Sequence, residues 1–255
     1  MTIIHTLLKT ITANAAHAQV ADVRIGAYWT AVALRRGGNL HVGLSSALRD
    51  SCADMHAHHY GKRGPVSHAS HLLDYDAQAL AELALSSSLL ETSVGFATLN
   101  ALLDVDTQAC VEVNAADIIA ERGAGRNIAI VGHFPFLKPL RQVAQTLWVL
   151  ELNPREDDLP AAEAPHILPQ ADVVAITGTS LLNGTFESLI THCRPDAFVI
   201  MLGATTPISP VLFESGVDAV SGTLVTDPSA VLQAVSQGAT FKQIPGKRLL
   251  TLFRE

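Results

Sequence analysis

The pattern of apolar positions changes near residue 127. Residues 128–131 (IAIV) form a short, continuously apolar run, which is typical of a parallel strand covered on both faces. Gly132 ends this run, and apolar residues then recur at helical spacing over residues 136–147. A strand, a glycine turn and a helix open a βαβ unit, in which ligands bind at the carboxyl ends of the strands. His133 is predicted to lie at such an end.

Strand and helix patterns alternate from there to residue 255. Asp227 and Pro228 fit the N-cap and first position of one of the helices. The alternation predicts a Rossmann-like, doubly wound domain with a mainly parallel sheet over residues 123–255. The further predicted strands cover 148–152, 172–177, 198–202, 217–220 and 249–253, and the further predicted helices cover 185–192 and 227–237.

The first 122 residues have a different pattern. An amphipathic helix over 3–15 is followed by a predicted strand at 23–34, the hairpin turn Arg35–Asn39 (RRGGN) and a return strand at 40–44. These elements predict an antiparallel β-meander. Helices are expected over 76–85, 88–103 and 114–121, and the polar RGAGR at 122–126 is a predicted hinge. We therefore expect an α+β domain at 1–122 and a boundary between residues 122 and 123.

Composition narrows the class of protein. With 48% hydrophobic and 16% charged residues, the 255-residue chain is expected to fold. A net charge of −7 without a basic stripe argues against a nucleic-acid partner. Apolar runs fall short of the roughly 20 residues that span a membrane, and no secretory signal opens the chain. The three cysteines, Cys52, Cys110 and Cys193, are scattered, which favours the cytoplasm. The sequence leaves a homo-oligomer open.

Residues 51–71 contain five histidines, one cysteine and one aspartate. Imidazole is a common metal ligand, which makes His56, His58 and His59 weak candidates for a metal carrier. Their spacing matches no closed zinc site, and a solvated polar loop is the alternative. We expect this segment to hold no metal, because its ligand spacing preorganises nothing.

Two predicted strand ends carry Gly132-His133-Phe134-Pro135 and Glu151-Leu152-Asn153-Pro154. The first turn is not the GxGxxG of dinucleotide-binding proteins, and its proline removes a backbone donor, so the usual dinucleotide mode is not expected. Glu151 stands where Rossmann proteins hold a ribose hydroxyl, although a solvent-facing carboxylate explains it equally well. His133 is a candidate base or ligand, with a purely hydrogen-bonded structural role as the alternative.

Two further strand ends carry TGTS at 177–180, followed by Asn183, and GATTP at 203–207. Hydroxyls and amides at a strand-to-helix turn are able to bind an anion or a carboxylate, but capping of the next helix is the simpler explanation. The rigid turn containing Thr206 and Pro207 is of the kind that lines ligands. No nucleophile elbow, P-loop or HExxH motif is present in the sequence.

Taken together, these motifs resemble a known family. GHFP at 132–135, ELNP at 151–154, DVVAITGTSLLNGT at 172–185 and GATTPISPVLF at 203–213 occur in the order of the DUF364 family, which is associated with heavy-metal chelation. ETSVGFATLNA at 91–101 is similar to the E-x-x-x-G-x-A-x-x-N-A pattern of the DUF4213 domain that precedes it. The resemblance implies an enolase N-terminal-like domain, a Rossmann-like domain and a site in the cleft between them. It also implies a role in metal chelation, or in making chelating pterin- or flavin-like compounds.

Two functions from different classes follow. In the first, the protein binds a small molecule or a metal chelate in the interdomain cleft, and any cofactor is a metal ion or such a chelate. The alternative is a transferase or hydrolase acting on a pterin-, flavin- or siderophore-like heterocycle, with Glu91 or His133 as general acid/base. Glu91 and Asn100 lie about 900° apart on one helix, so at most one of them faces the cleft. The predicted ligand-binding residues are Gly132, His133, Phe134, Glu151, Asn153, Thr177, Gly178, Thr179, Asn183, Thr206 and Pro207.

Overall fold

A computed structural model of the chain describes residues 2–48, 64–155 and 157–255. The chain forms two compact units. Unit 1 consists of Met1–Val105 and Thr223–Arg248, and unit 2 consists of Asp106–Gly222 and Leu249–Glu255. The boundary expected between residues 122 and 123 stays a prediction.

The elements of the described residues are numbered here in chain order. The strands are β1 (Ala18–Ile25), β2 (Trp29–Arg36), β3 (Asn39–Ser46), β4 (Cys110–Val111), β5 (Asn127–Val131), β6 (Thr146–Glu151), β7 (Leu159–Pro160), β8 (Val173–Thr177), β9 (Phe198–Leu202), β10 (Ala219–Val225) and β11 (Lys247–Phe253). The α-helices are α1 (Ile3–Thr10), α2 (Thr12–Ala15), α3 (Ala77–Glu82), α4 (Leu89–Leu102), α5 (Ala115–Gly123), α6 (Leu137–Val143), α7 (Ala164–Ile167), α8 (Thr179–Leu182), α9 (Phe186–Thr191) and α10 (Pro228–Ser236). Six 3-10 turns join them, at Leu72–Asp74, Leu83–Leu85, Ala161–Glu163, Leu168–Gln170, Pro210–Ser215 and Phe241–Gln243.

The sheet of unit 1 is the predicted antiparallel meander, in the order β1-β2-β3. Gly37 and Gly38 both have positive φ, at 57° and 81°, as a two-residue hairpin loop requires, which confirms the RRGGN turn. The single strand predicted at 23–34 is wrong, because the chain turns between β1 and β2. There the N–H of Gly26 donates to the carbonyl of Trp29 at 2.8 Å. The sequence pattern did not indicate this turn, because strand-type residues lie on both sides of it and only one glycine marks it.

Helices cover both faces of this sheet within unit 1. Ala31 and Ala33 of β2, together with the neighbouring strand β3, pack against Val231 and Val235 of α10. On the other face α4 lies directly against β3, since a Cβ on Gly43 would be 2.1 Å from the carbonyl oxygen of Ala97. Strand residues alternate between the two faces, which explains why Thr30–Leu34 are buried without interruption. Helix α10, predicted from its Asp227 cap, therefore contributes to the core of unit 1.

Unit 2 contains a mainly parallel sheet with the strand order β4-β11-β10-β9-β8-β5-β6-β7 in the described residues. Counted along the chain from β5 to β10, the order is 3-2-1-4-5-6, that of a Rossmann-like sheet. The predicted fold class is confirmed. The two-residue strands β4 and β7 were not predicted, because two residues carry no period. Strand β4 pairs antiparallel with β11.

The core of unit 2 lies between the sheet and its covering helices. Ile128 and Ile130 of β5 are fully buried, as the continuously apolar run predicts, and they pack with Ile119 of α5 and Leu140 of α6. No α-helix of the described residues is long and apolar enough to cross a membrane.

Candidate functional site

Unit 2 contains a cavity of about 580 Å³ at the carboxyl edge of its parallel sheet. Strand register places the ends of three strands side by side, because Val131 pairs with Leu150 on β6 and with Ile176 on β8. Strand order reverses between β5 and β8, and ligands of open α/β sheets bind at such a switch point. The cavity is lined by Gly132, His133, Phe134, Glu151, Thr177, Thr179 and Asn183 from the predicted set, with residues of the 161–165 segment, α8 and α9.

The turn after β5 is fixed by glycine geometry and by a carboxylate. Gly132 has a φ of 108°, a backbone conformation that residues with a side chain rarely adopt. An added Cβ would lie 3.1 Å from Cβ of Thr177. The backbone N–H of His133 donates to Oε1 of Glu151 at 2.6 Å, and the N–H of Leu152 donates to Oε2 at 3.1 Å. Glu151 therefore holds the two turns together. It also accepts the backbone N–H of His133, which is therefore not available to a phosphate bound in the usual dinucleotide mode.

His133 is held by a second carboxylate. Its Nδ1 lies 3.0 Å from Oδ2 of Asp158, which also accepts a hydrogen bond from the backbone N–H of Arg155 at 3.1 Å. The imidazole is 28% exposed, whereas the side chain of Asp158 is only 1% exposed. The ring is therefore anchored on one side and open on the other.

Hydroxyl groups cluster in the turn after β8. The Oγ1 atoms of Thr177 and Thr179 lie 3.0 Å apart, and Ser180 Oγ donates to the carbonyl of Thr177 at 2.7 Å. Asn183 Oδ1 accepts from both the N–H and the hydroxyl of Thr185, at 3.2 and 2.7 Å. Neither α8 nor α9 has a side-chain hydrogen bond at its N-cap, so these contacts are not the predicted capping of the next helix, and several groups of the turn line the cavity. Asn183 lines the cavity, and its Nδ2 makes no hydrogen bond among the described residues.

Four other predicted residues lie away from the lining. Gly178 is buried in the same turn, where an added Cβ would be 2.4 Å from Oγ1 of Thr206. Thr206 and Pro207 are buried beneath it, and Thr206 Oγ1 is a buried hydroxyl with no hydrogen-bond partner in the described part of the chain. Asn153 is exposed. The structure brings seven of the eleven predicted ligand-binding residues to one cavity, and a role for these four in binding stays a prediction.

Glu91 lies in unit 1, in the first turn of α4, and is 8% exposed. Its Oε1 accepts from the N–H of Ser67 at 2.7 Å and its Oε2 from the hydroxyl of Ser86 at 2.5 Å. Burial acts to raise the pKa of Glu91, but these hydrogen bonds outweigh it and hold the pKa below its ordinary value. Asn100, on the opposite side of the helix, donates to the carbonyl of Leu44 at 2.9 Å. Both side chains have structural contacts, and catalysis by Glu91 stays a prediction.

The weak metal candidates His56, His58 and His59 lie outside the described residues. Two other histidines of that segment are described, and both have local partners. His68 Nδ1 is 2.7 Å from the hydroxyl of Tyr75, and His71 Nδ1 is 3.1 Å from Asp74. Over residues 2–48, 64–155 and 157–255, no group of three or more His, Cys, Asp or Glu side chains is placed to hold a metal ion.

Several residues of the site were not predicted. Asp158 supports His133 from an acidic connection whose sequence carries no motif, and Ser188 and His192 line the cavity from α9 and its C-cap. No local sequence signal marks Ser188 and His192 as lining residues, because their place in the cavity depends on where α9 runs. Among the described residues that line the cavity Glu151 is an acid, and none is a lysine or arginine.

A sheet in this order defines a Rossmann-like domain, and the cavity lies at its switch point. The sequence model of the DUF364 family matches residues 114–253, and that of DUF4213 matches residues 9–103. Both carry the description "Putative heavy-metal chelation". The chain belongs to the DUF364 family.

The chain is also similar to proteins from other organisms. An uncharacterized protein of Methanocaldococcus jannaschii is 28% identical over 159 residues, which cover 59% of this chain and 61% of that relative's length. A DUF364 protein of unknown function from Pyrococcus horikoshii has a similar crystal structure, with a TM-score of 0.83, 18% identity and coverage of 99% of this chain and 100% of that one. A second, from Desulfitobacterium hafniense, gives a TM-score of 0.76, 23% identity and coverage of 98% and 100%. At these identities the structures support the fold.

Proposed function

We propose that the protein binds a small heterocyclic molecule, or a metal chelate of one, at the cavity on the carboxyl edge of the unit 2 sheet. The observation that carries this proposal is the convergence of His133, Glu151 and the Thr177–Asn183 turn on one cavity at the switch point. A volume of about 580 Å³ is within the range of sites for small organic ligands. The site in an interdomain cleft that the family resemblance implies stays a prediction.

The charge of the lining favours an uncharged or cationic ligand. Glu151 contributes negative charge, no lysine or arginine offsets it among the lining residues that the structure describes, and the turn amide of His133 is already bonded. A phosphate would therefore meet no lysine or arginine among the described lining residues, and the His133 amide would not be free to bind it. Phe134, stacked on Phe136 with ring centroids 5.1 Å apart, supplies an aromatic surface for a flat ring. The chain's net charge of −7 supports the expectation that nucleic acid is not a partner.

A chelated metal fits this cavity better than a bare ion. No group of three potential ligands is placed around a metal in the described part of the chain. A chelator brings its own donor atoms and needs only one or two from the protein, such as the imidazoles of His133 and His192. The description shared by the two family models supports this version of the proposal.

A second function, an enzyme acting on a heterocycle, is favoured by one observation. The contact between His133 Nδ1 and the buried Asp158, at 3.0 Å, is the arrangement that orients a general acid/base. A transferase or a hydrolase would use His133 in that role. Glu91, in unit 1, has both carboxylate oxygens engaged and is the weaker candidate.

The test uses protein purified without denaturation and compares its intact mass under native and denaturing conditions, with elemental analysis of the same sample. The variant Ala162→Trp places a large side chain at an exposed position of the cavity lining. Ala13→Trp, at an exposed position of α2, is the matched control. We expect the bound species to be lost from Ala162→Trp and retained by Ala13→Trp. A species retained equally by both variants contradicts the proposed location.

A further inference from the structure

The side chain of Asp158 is almost completely buried, and its partner His133 lines the cavity. The Asp158 side chain is 1% exposed and lies outside the lining, whereas the imidazole is 28% exposed and forms part of it. A buried carboxylate is stable only when it is hydrogen-bonded, and Asp158 accepts from two groups, Nδ1 of His133 and the N–H of Arg155. The carboxylate is therefore committed to the protein, and the ring that it holds is the part that a ligand meets.

The direction of this hydrogen bond determines the tautomer of His133. An ionised carboxylate only accepts, so Nδ1 must carry the proton that it donates to Asp158. In the neutral ring Nε2 is then unprotonated and acts as an acceptor. Nε2 makes no hydrogen bond among the described residues, and it is on the side of the ring away from the Nδ1–Asp158 contact.

We propose that Asp158 is a positioning residue that holds His133 in the Nδ1–H tautomer, so that Nε2 selects ligands that present an N–H or O–H donor. The choice of ligand rests on the proposed function of the cavity, but the tautomer does not. Thr177 and Thr179 donate or accept, and Asn183 Nδ2 donates, so a ring with adjacent donor and acceptor atoms, such as a cyclic lactam, matches both sides of the cavity.

The competing explanation is that the pair only pins residues 155–158 to the turn after β5. That structural role requires the contact between His133 and Asp158, but it does not require one particular tautomer of His133 to reach a ligand. The two explanations therefore differ in the protonation state of the His133 ring nitrogens, which is measurable without any ligand.

The experiment records side-chain nitrogen NMR spectra of the ligand-free protein at a pH at which the imidazoles are neutral. We expect His133 to show a protonated Nδ1 and an unprotonated Nε2. His192, whose imidazole has no hydrogen bond among the described residues, is an internal reference and should show the Nε2–H form preferred by free histidine. A protonated Nε2 on His133 in the wild-type protein overturns the proposal.

Variants separate positioning from folding. Asp158→Ala should shift His133 toward the Nε2–H form, whereas Asp157→Ala, at an exposed neighbouring position, should leave the wild-type tautomer. His133 remaining in the Nδ1–H form in a folded Asp158→Ala protein overturns the role of Asp158. The wild-type spectrum decides the question if Asp158→Ala fails to fold.

The ligand class is tested with two probes, lumazine, which has ring N–H donors, and 1,3-dimethyllumazine, in which methyl groups replace them. We expect lumazine to bind at least tenfold more tightly and to move the Nε2 resonance of His133, and the methylated probe to leave it unchanged. Equal binding of both probes, or binding of neither, overturns the ligand class. The tautomer result then stands by itself, while loss of the copurifying species in the cavity variants separately decides the proposed function.

Discussion

The backbone N–H of His133 lies 2.6 Å from Oε1 of Glu151, so the carboxylate that ends β6 holds the turn that follows β5. Rossmann proteins use an acidic residue at this place for a ribose hydroxyl. Here the same position closes a turn in which glycine is followed by His-Phe-Pro and not by further glycines. The carboxylate of Glu151 is therefore part of the framework of the cavity.

Glu151→Gln tests this framework. The amide oxygen still accepts one of the two backbone hydrogen bonds, but its nitrogen cannot accept the other, from His133 or Leu152. We expect the free energy of unfolding to fall by about 1–3 kcal/mol, measured by urea denaturation. Asp157→Asn, on the exposed connection, makes the same chemical change and should leave stability unaltered. Equal stability of both variants would show that Glu151 does not hold the turns.

Gly178→Ala tests the close packing under the TGTS turn. The added Cβ would lie 2.4 Å from Oγ1 and 2.7 Å from the backbone nitrogen of Thr206, and the backbone atom cannot rotate away. A loss of about 1–3 kcal/mol of unfolding free energy is expected from this overpacking. Gly184→Ala is the control, because its Cβ meets nothing within 4 Å and only its φ of 71° is unfavourable. A larger loss for Gly184→Ala would contradict the packing argument.

Thr206→Val tests whether that buried hydroxyl has a role. Thr206 Oγ1 has no partner among the described residues, so removing it should leave stability equal or higher in thermal and urea denaturation. Thr251→Val is the matched change at a buried hydroxyl that does have a partner, since Thr251 Oγ1 lies 2.6 Å from Ser221 Oγ. It should lower stability by about 1 kcal/mol or more. If Thr206→Val instead abolishes binding of lumazine, the hydroxyl belongs to the ligand site.

The pH dependence of stability should report Glu91. Its pKa in the folded protein is lowered, since the hydrogen bonds from Ser86 and Ser67 outweigh burial. A lowered pKa means that the stabilisation is fully present above the unfolded-state pKa and is lost as pH falls through the folded-state value. Glu91→Gln should therefore flatten the fall in unfolding free energy between about pH 5 and pH 3. Glu82→Gln, on an exposed carboxylate of α3, should keep the wild-type slope.

Local patterns were sufficient to predict most elements and the edge where the cavity lies. The apolar run of β5, the glycine hairpin after β2 and the Asp227 cap of α10 each contain their own signal in a few neighbouring residues. The packing of α10 in unit 1, and the meeting of His133 with Asp158 across 25 positions, depend on tertiary contacts. No short-range pattern contains that information. His192 escaped prediction for the same reason, because its part in the lining depends on where α9 runs.

His133→Ala should affect both binding and stability. Removing the imidazole leaves the buried side chain of Asp158 with the N–H of Arg155 as its remaining partner. We therefore expect a loss of about 1–3 kcal/mol in unfolding free energy. The same change made in an Asp158→Ala background should cost less, because the partner is already gone, and the difference measures the coupling of the pair. Binding of lumazine, measured by calorimetry, should be lost in both backgrounds if Nε2 contacts the ligand. Lost stability with unchanged binding would remove His133 from the ligand site and leave the pair with a structural role.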